Sequence, residues 1–177
     1  MKNLSIFALI AALSRRAHGA ILVLAALLLL PGVAAADEDH SGWSINLTPV
    51  LIFPTSGYRF GGGVDPEVKV SLDLGGARVS AGGRLGTYYA KNLFCVTVMP
   101  TLRLMVPIGP VEPYASVGLG YGWLPGDGRD AIAAMARLGF VYRFSERFAI
   151  GLEGTLQQLD GSRVRFPSFG SMMSFDL

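Results

Sequence analysis

From Tyr114 to Trp123 the chain alternates with a period of two. Ala115, Val117, Leu119, Tyr121 and Trp123 are apolar, and Ser116, Gly118, Gly120 and Gly122 between them carry almost no side chain. A helix would bring every third or fourth residue to one face, so this pattern predicts a strand with two unlike faces. Glycine weakens a strand unless another surface comes close or space is short. An oily outer face and a crowded, narrow interior satisfy both halves of the pattern.

Composition carries the argument to the whole chain. Of 177 residues, 51% are hydrophobic and 16% charged, against about 25% charged in a soluble domain. No stretch supplies the roughly 20 apolar residues of a spanning helix. A chain this apolar without such a helix points to alternating strands.

The N-terminus is read separately. Lys2, Arg15 and Arg16 precede the apolar run 20–30, Pro31-Gly32 ends it, and Ala34-Ala35-Ala36 stands before Asp37-Glu38-Asp39. A positive start, a short apolar core and small residues predict a cleaved secretory signal peptide over 1–36, with the true start codon left open by the long leading segment. One domain is expected over 37–177. Removing three basic residues leaves 12 basic against 13 acidic, so no basic excess argues for nucleic acid. Cys95 is alone, which excludes an intrachain disulfide and a cysteine-rich metal site. No cofactor or metal is expected, and Asp37-Glu38-Asp39-His40 reads as a solvated terminus.

Period-two segments recur at 43–53, 64–74, 78–89, 94–106, 114–123, 131–144 and 148–156, and a last one closes the chain. Gly75-Gly76 reads as a tight hairpin turn. In the last segment Phe169, Met173, Phe175 and Leu177 share a parity that Val164 and Phe166 do not, which predicts a bulge near Pro167. Pro49, Pro66 and Pro100 each lack a ladder donor, and bulges or strand ends are expected there too. Eight strands of this length suit tilted strands crossing a bilayer. The predicted fold is all-β: an eight-stranded antiparallel up-and-down transmembrane β-barrel after a cleaved signal peptide.

Alternation alone does not say which face turns outward. The sparse parity is rich in Gly, Ser and Thr and poor in Lys, unlike a solvated surface. Aromatic residues gather near strand ends: Phe53, Tyr89, Phe94, Tyr121 and Trp123 at one rim, Trp43, Tyr142, Phe144, Phe148 and Phe175 at the other. Such belts mark the two interfaces of a membrane. Through the stretches 112–121 and 142–151 and its terminal strand, the chain resembles the small outer-membrane barrels of Gram-negative bacteria, the OmpA/OmpX/OmpW-like group. The resemblance implies the outer membrane, lipid contacts, a monomer, and recognition of the last strand by the barrel-assembly machinery. That strand usually ends in Phe; here Phe175 stands two residues before Leu177.

By parity the inward charges are Asp65, Glu67, Asp73, Glu153 and Asp176 against Lys69, Arg78, Arg84, Arg103, Arg137 and Arg143. The candidate site is a lumen charge network of Glu67, Lys69, Asp73, Arg78, Arg84, Arg103, Arg137, Arg143, Glu153 and Asp176. Charges in a narrow lumen are tolerable when paired and hydrogen-bonded, and eight strands leave room for side chains and little else. The expected function is therefore a structural or surface-interaction barrel with a closed polar lumen. The alternative is a transport channel for small solutes or, OmpW-like, for hydrophobic molecules. A lipid-modifying enzyme fits worse. The only histidine after residue 36 is His40, so no strand supplies an imidazole base beside a nucleophile.

Overall fold

The computed structural model describes residues 42–55, 60–91, 93–124, 129–160 and 164–177. The expected signal peptide and the acidic stretch before β1 lie outside them. Eight strands follow in chain order: β1 (Trp43–Ile52), β2 (Gly61–Asp73), β3 (Arg78–Ala90), β4 (Leu93–Met105), β5 (Val111–Leu124), β6 (Arg129–Arg143), β7 (Phe148–Leu159) and β8 (Val164–Asp176). Each pairs antiparallel with its neighbour, and β8 returns to β1, closing the barrel. Closure leaves no free sheet edge.

Local chemistry sets the hairpins. Gly75 and Gly76 adopt φ of 72° and 145°, values open to glycine at little cost. Asp73 Oδ1 accepts the Gly75 N–H at 2.8 Å, and Leu74 N–H donates to the Ala77 carbonyl at 2.8 Å. The turns at Leu74–Ala77, Val106–Pro110 and Phe144–Arg147 lie at the same end as Trp43 and Asp176.

No bulge interrupts any ladder between described strands. The β7–β8 register holds from Phe148↔Phe175 through Leu156↔Pro167 to Leu159↔Val164. The bulge expected at Pro167 is therefore absent. It was inferred from the rule that an apolar residue faces outward, whereas Phe166 faces the lumen and is buried beside Tyr88, their ring centroids 6.3 Å apart.

The mid-strand prolines also stay in register. Opposite Pro49, Pro66 and Pro100 the β1–β8, β2–β3 and β4–β5 pairing lapses, then resumes unshifted. Proline has no N–H to donate, so the carbonyls opposite, of Ser171, Leu85 and Leu119, lose their ladder donor. Each proline costs one bond and leaves the alternation intact. Pro113 and Pro167 sit where neighbouring strands end, and their carbonyls accept from Val106 and Phe53.

Alternation then sorts the side chains. The outer wall is apolar, with Leu119 63% exposed and Leu138 70%. Water disfavours so continuous an apolar surface, and hydrocarbon suits it. At the terminal end Tyr142, Phe144, Phe148 and Phe175 form a chain of rings with successive centroids 4.8, 6.2 and 5.2 Å apart. At the other end Tyr89 and Phe94 pair directly across β3 and β4.

The interior is layered. Toward the end opposite the termini, Ile52, Tyr88, Leu93, Cys95, Met99, Met135, Leu159 and Phe166 form an apolar layer. A smaller one, with Met105, Tyr114, Val141, Ala149 and Met172, lies toward the termini. The glycine face of β5 is not empty space, because long side chains from other strands fill it. A Cβ on Gly122 would lie 2.5 Å from Leu159 Cδ2, and one on Gly120 would lie 2.8 Å from both Cα and Cγ of Met99. Because the obstacle at Gly120 includes backbone, Gly120→Ala is expected to destabilise the barrel by about 1–3 kcal/mol. Urea unfolding midpoints of the refolded protein check this, and an unchanged midpoint would contradict the close packing of β4 on β5.

Candidate functional site

Between the two apolar layers lies a buried ionic network centred on Glu67 of β2. Its Oε1 accepts from Thr101 Oγ1 at 2.7 Å. Its Oε2 accepts from Asn46 Nδ2 at 3.0 Å, Arg103 Nη2 at 2.5 Å and Arg137 Nη1 at 3.4 Å. Arg137 Nη1 also reaches Glu153 Oε2 at 3.3 Å, and that oxygen accepts from the Tyr114 hydroxyl at 2.5 Å. The Arg103 guanidinium lies over the Tyr114 ring, 4.3 Å from its centroid, a position that favours cation–π attraction.

A second cluster adjoins the first. Arg84 forms an ion pair with Asp65 and also donates to Met135 Sδ and, at 2.9 Å, to the Tyr88 hydroxyl. Tyr88 donates onward to Gln157 Oε1 at 3.0 Å. Arg137 Nη2 approaches Met135 Sδ at 3.5 Å, which ties the clusters together, and Arg103 Nη1 approaches Met172 Sδ at 3.7 Å. From Asn46 on β1 to Met172 on β8, all eight strands contribute a side chain. The network therefore spans the lumen as well as lining it.

A third group sits at the terminal mouth. Arg143 Nε donates to Glu112 Oε1 at 2.9 Å, and its Nη1 donates to Asp176 Oδ2 at 2.7 Å. Arg78 Nη1 lies 3.7 Å from Glu112 Oε2. This group ties β3, β5, β6 and β8 together at the rim.

Of the ten residues expected in the network, Glu67, Lys69, Arg84, Arg103, Arg137 and Glu153 are buried inside the barrel, and Arg78, Arg143 and Asp176 line its mouth. Asp73 does not join them. It is exposed at the end of β2 and holds the Gly75 turn, because parity assigns a direction only while the strand continues. Glu112 was missed, since strand five was expected to begin at Tyr114 whereas β5 begins at Val111. Its even number, shared with Tyr114, was the available signal. Asp65, inward by parity but outside the expected network, is the partner of Arg84. Among the described residues, no group of His, Cys, Asp and Glu is placed to hold a metal.

No family model matches the chain, and no curated protein matches it in sequence. Solved structures do. Neisserial surface protein A superposes with a TM-score of 0.57 at 14% identity, over 79% of this chain and 100% of that one. Ail, the attachment invasion locus protein of Yersinia pestis, gives 0.55 at 14% identity, over 77% and 97%. The N-terminal β-barrel domain of Pseudomonas aeruginosa OprF gives 0.50 at 14% identity, over 77% and 100%. The fold is that of the small outer-membrane barrels. At such identity the likeness speaks for the fold alone.

Glu67 is the point on which two guanidinium groups converge out of water. Glu67→Gln keeps the shape and removes the charge, leaving Arg103 without its carboxylate. Removing one partner of a buried ion pair costs about 3–5 kcal/mol, and a loss of that order is expected in urea unfolding. A midpoint within error of the parent protein would show that the network contributes little to stability.

Proposed function

We propose that the chain is a barrel of the bacterial outer membrane, structural or surface-interacting in role, whose lumen is closed by its own side chains. The observation that carries this reading is the network centred on Glu67, which reaches across the lumen from every strand. Guanidinium groups held by carboxylates, methionine sulfurs and a tyrosine ring occupy the path a solute would take. The apolar layer with Met99, Leu159 and Phe166 adds a second obstruction on the side away from the termini.

The outer-membrane assignment draws its support from the apolar wall, the aromatic belts and the likeness to barrels of that membrane. Residues 1–36 would then direct export, β8 would be read by the barrel-assembly machinery, and lipid would be the main partner of a monomeric barrel. The links between strands favour a structural role over one needing broad exposed surface: β3 ends at Ala90 and β4 begins at Leu93. Catalysis is not part of the proposal, because the sequence contains no histidine after His40.

Planar-bilayer recording tests the closed lumen. The refolded full-length protein is expected to show no steady conductance steps. Reproducible single-channel steps that disappear when Arg84 or Arg137 is replaced by alanine would overturn the plug and establish a selective pore.

A further inference from the structure

Arg165 is the one basic side chain described on the outward parity of the eight strands. It opens the outward row of β8, and Gln158 lies directly opposite it on β7. Both residues are exposed. Among the described residues, neither the guanidinium nor the amide forms an ion pair or hydrogen bond.

The seam with β1 fixes the height of this pair on the barrel. Phe53 N–H donates to the Pro167 carbonyl at 2.8 Å, and Thr55 N–H to the Arg165 carbonyl at 3.1 Å. Phe53 belongs to the aromatic belt at the end away from the termini, so Arg165 and Gln158 stand at the level of that belt. Toward the middle of the wall the next outward residues are Leu156 and Pro167, then Gly154 and Phe169. Phe169 Cε2 lies 3.8 Å from where a Gly154 Cβ would stand. Aromatic belts mark the level of lipid headgroups. An arginine there lays its stem along apolar surface and turns its charge toward the headgroups. Its planar fork matches two oxygens of one phosphate, and a glutamine amide adds a further donor.

We infer that the β7–β8 seam seats a lipid of the leaflet away from the termini. Arg165 and Gln158 hold its headgroup phosphate, and its acyl chains lie along Leu156 and Phe169. The inference rests on the reading of the chain as a membrane barrel. It commits to lipid because the pair is continuous with the lipid-facing wall. Phe53, Leu156 and Phe169 beside it are exposed and apolar, and they offer a free phosphate ion nothing to bind.

NMR of the refolded full-length protein in an uncharged maltoside micelle tests this, with short-chain phosphatidic acid as the titrant. Saturable shifts of the backbone and side-chain signals of Gln158 and Arg165 are expected, while sodium phosphate at the same concentration produces none. Arg165→Leu should weaken binding about tenfold, the scale of one charge-assisted contact. Arg165→Lys should retain part of the affinity, and Gln158→Ala should lower it less than Arg165→Leu does. Arg147→Leu, at the opposite rim, should leave it unchanged. Arg165 signals that ignore phosphatidic acid overturn the inference. So does an equal response to sodium phosphate, or undiminished binding by Arg165→Leu. Detergent contacts of the Val117 and Leu119 methyls, read in the same sample, separate this inference from the reading beneath it. If those contacts are present while Arg165 is silent, the lipid site alone fails; if they are missing, the membrane barrel fails with it.

Discussion

Closure of the sheet is the constraint on which the rest depends. Once β8 pairs with β1, each residue in a strand faces either the wall or the lumen, and no edge remains where a mismatch can be hidden. A one-residue slip anywhere would send oily residues inward and charges outward. The eight ladders accordingly run without a bulge. Three prolines are accommodated by giving up single hydrogen bonds, because a bulge would reverse the alternation beyond it.

The ionic interior follows from the same closure. A small barrel has too little interior for bulk water to solvate five guanidinium groups, so they find partners across the lumen. Glu67 serves two guanidinium groups, Arg143 bridges two carboxylates, and methionine sulfurs take spare donors. Glycines on β3 and β5 make this crowding possible by leaving room for long side chains from neighbouring strands. Stability and the proposed closure of the lumen thus have one physical source.

Much of this was legible from the sequence, because period two in a closed barrel determines direction directly. Parity groups Val117, Leu119 and Leu152 on one face and Arg84, Arg137 and Glu153 on the other, and the Lys-poor sparse face together with the aromatic belts says which of the two turns inward. What parity cannot convey is the chemistry at each depth. Phe166 looked misplaced because polarity was equated with the interior, yet the layer away from the termini is apolar and accepts a phenyl ring. Asp73 and Glu112 were misjudged for one shared reason: strand ends are set by turn geometry, which alternation does not encode. The pairing of charges was also hidden, since residues that meet across the lumen, such as Glu67 and Arg137, are far apart in sequence.

The most direct measurement is methyl NMR of the refolded barrel in lipid nanodiscs, with a paramagnetic label placed either on the lipid chains or on a water-soluble chelate. The account predicts that the lipid label strongly attenuates the methyl signals of Val117, Leu119 and Leu152 and spares those of Met99 and Met172, while the chelate leaves all five largely intact. Attenuation of Val117, Leu119 and Leu152 by the chelate, with no effect from the lipid label, would contradict it.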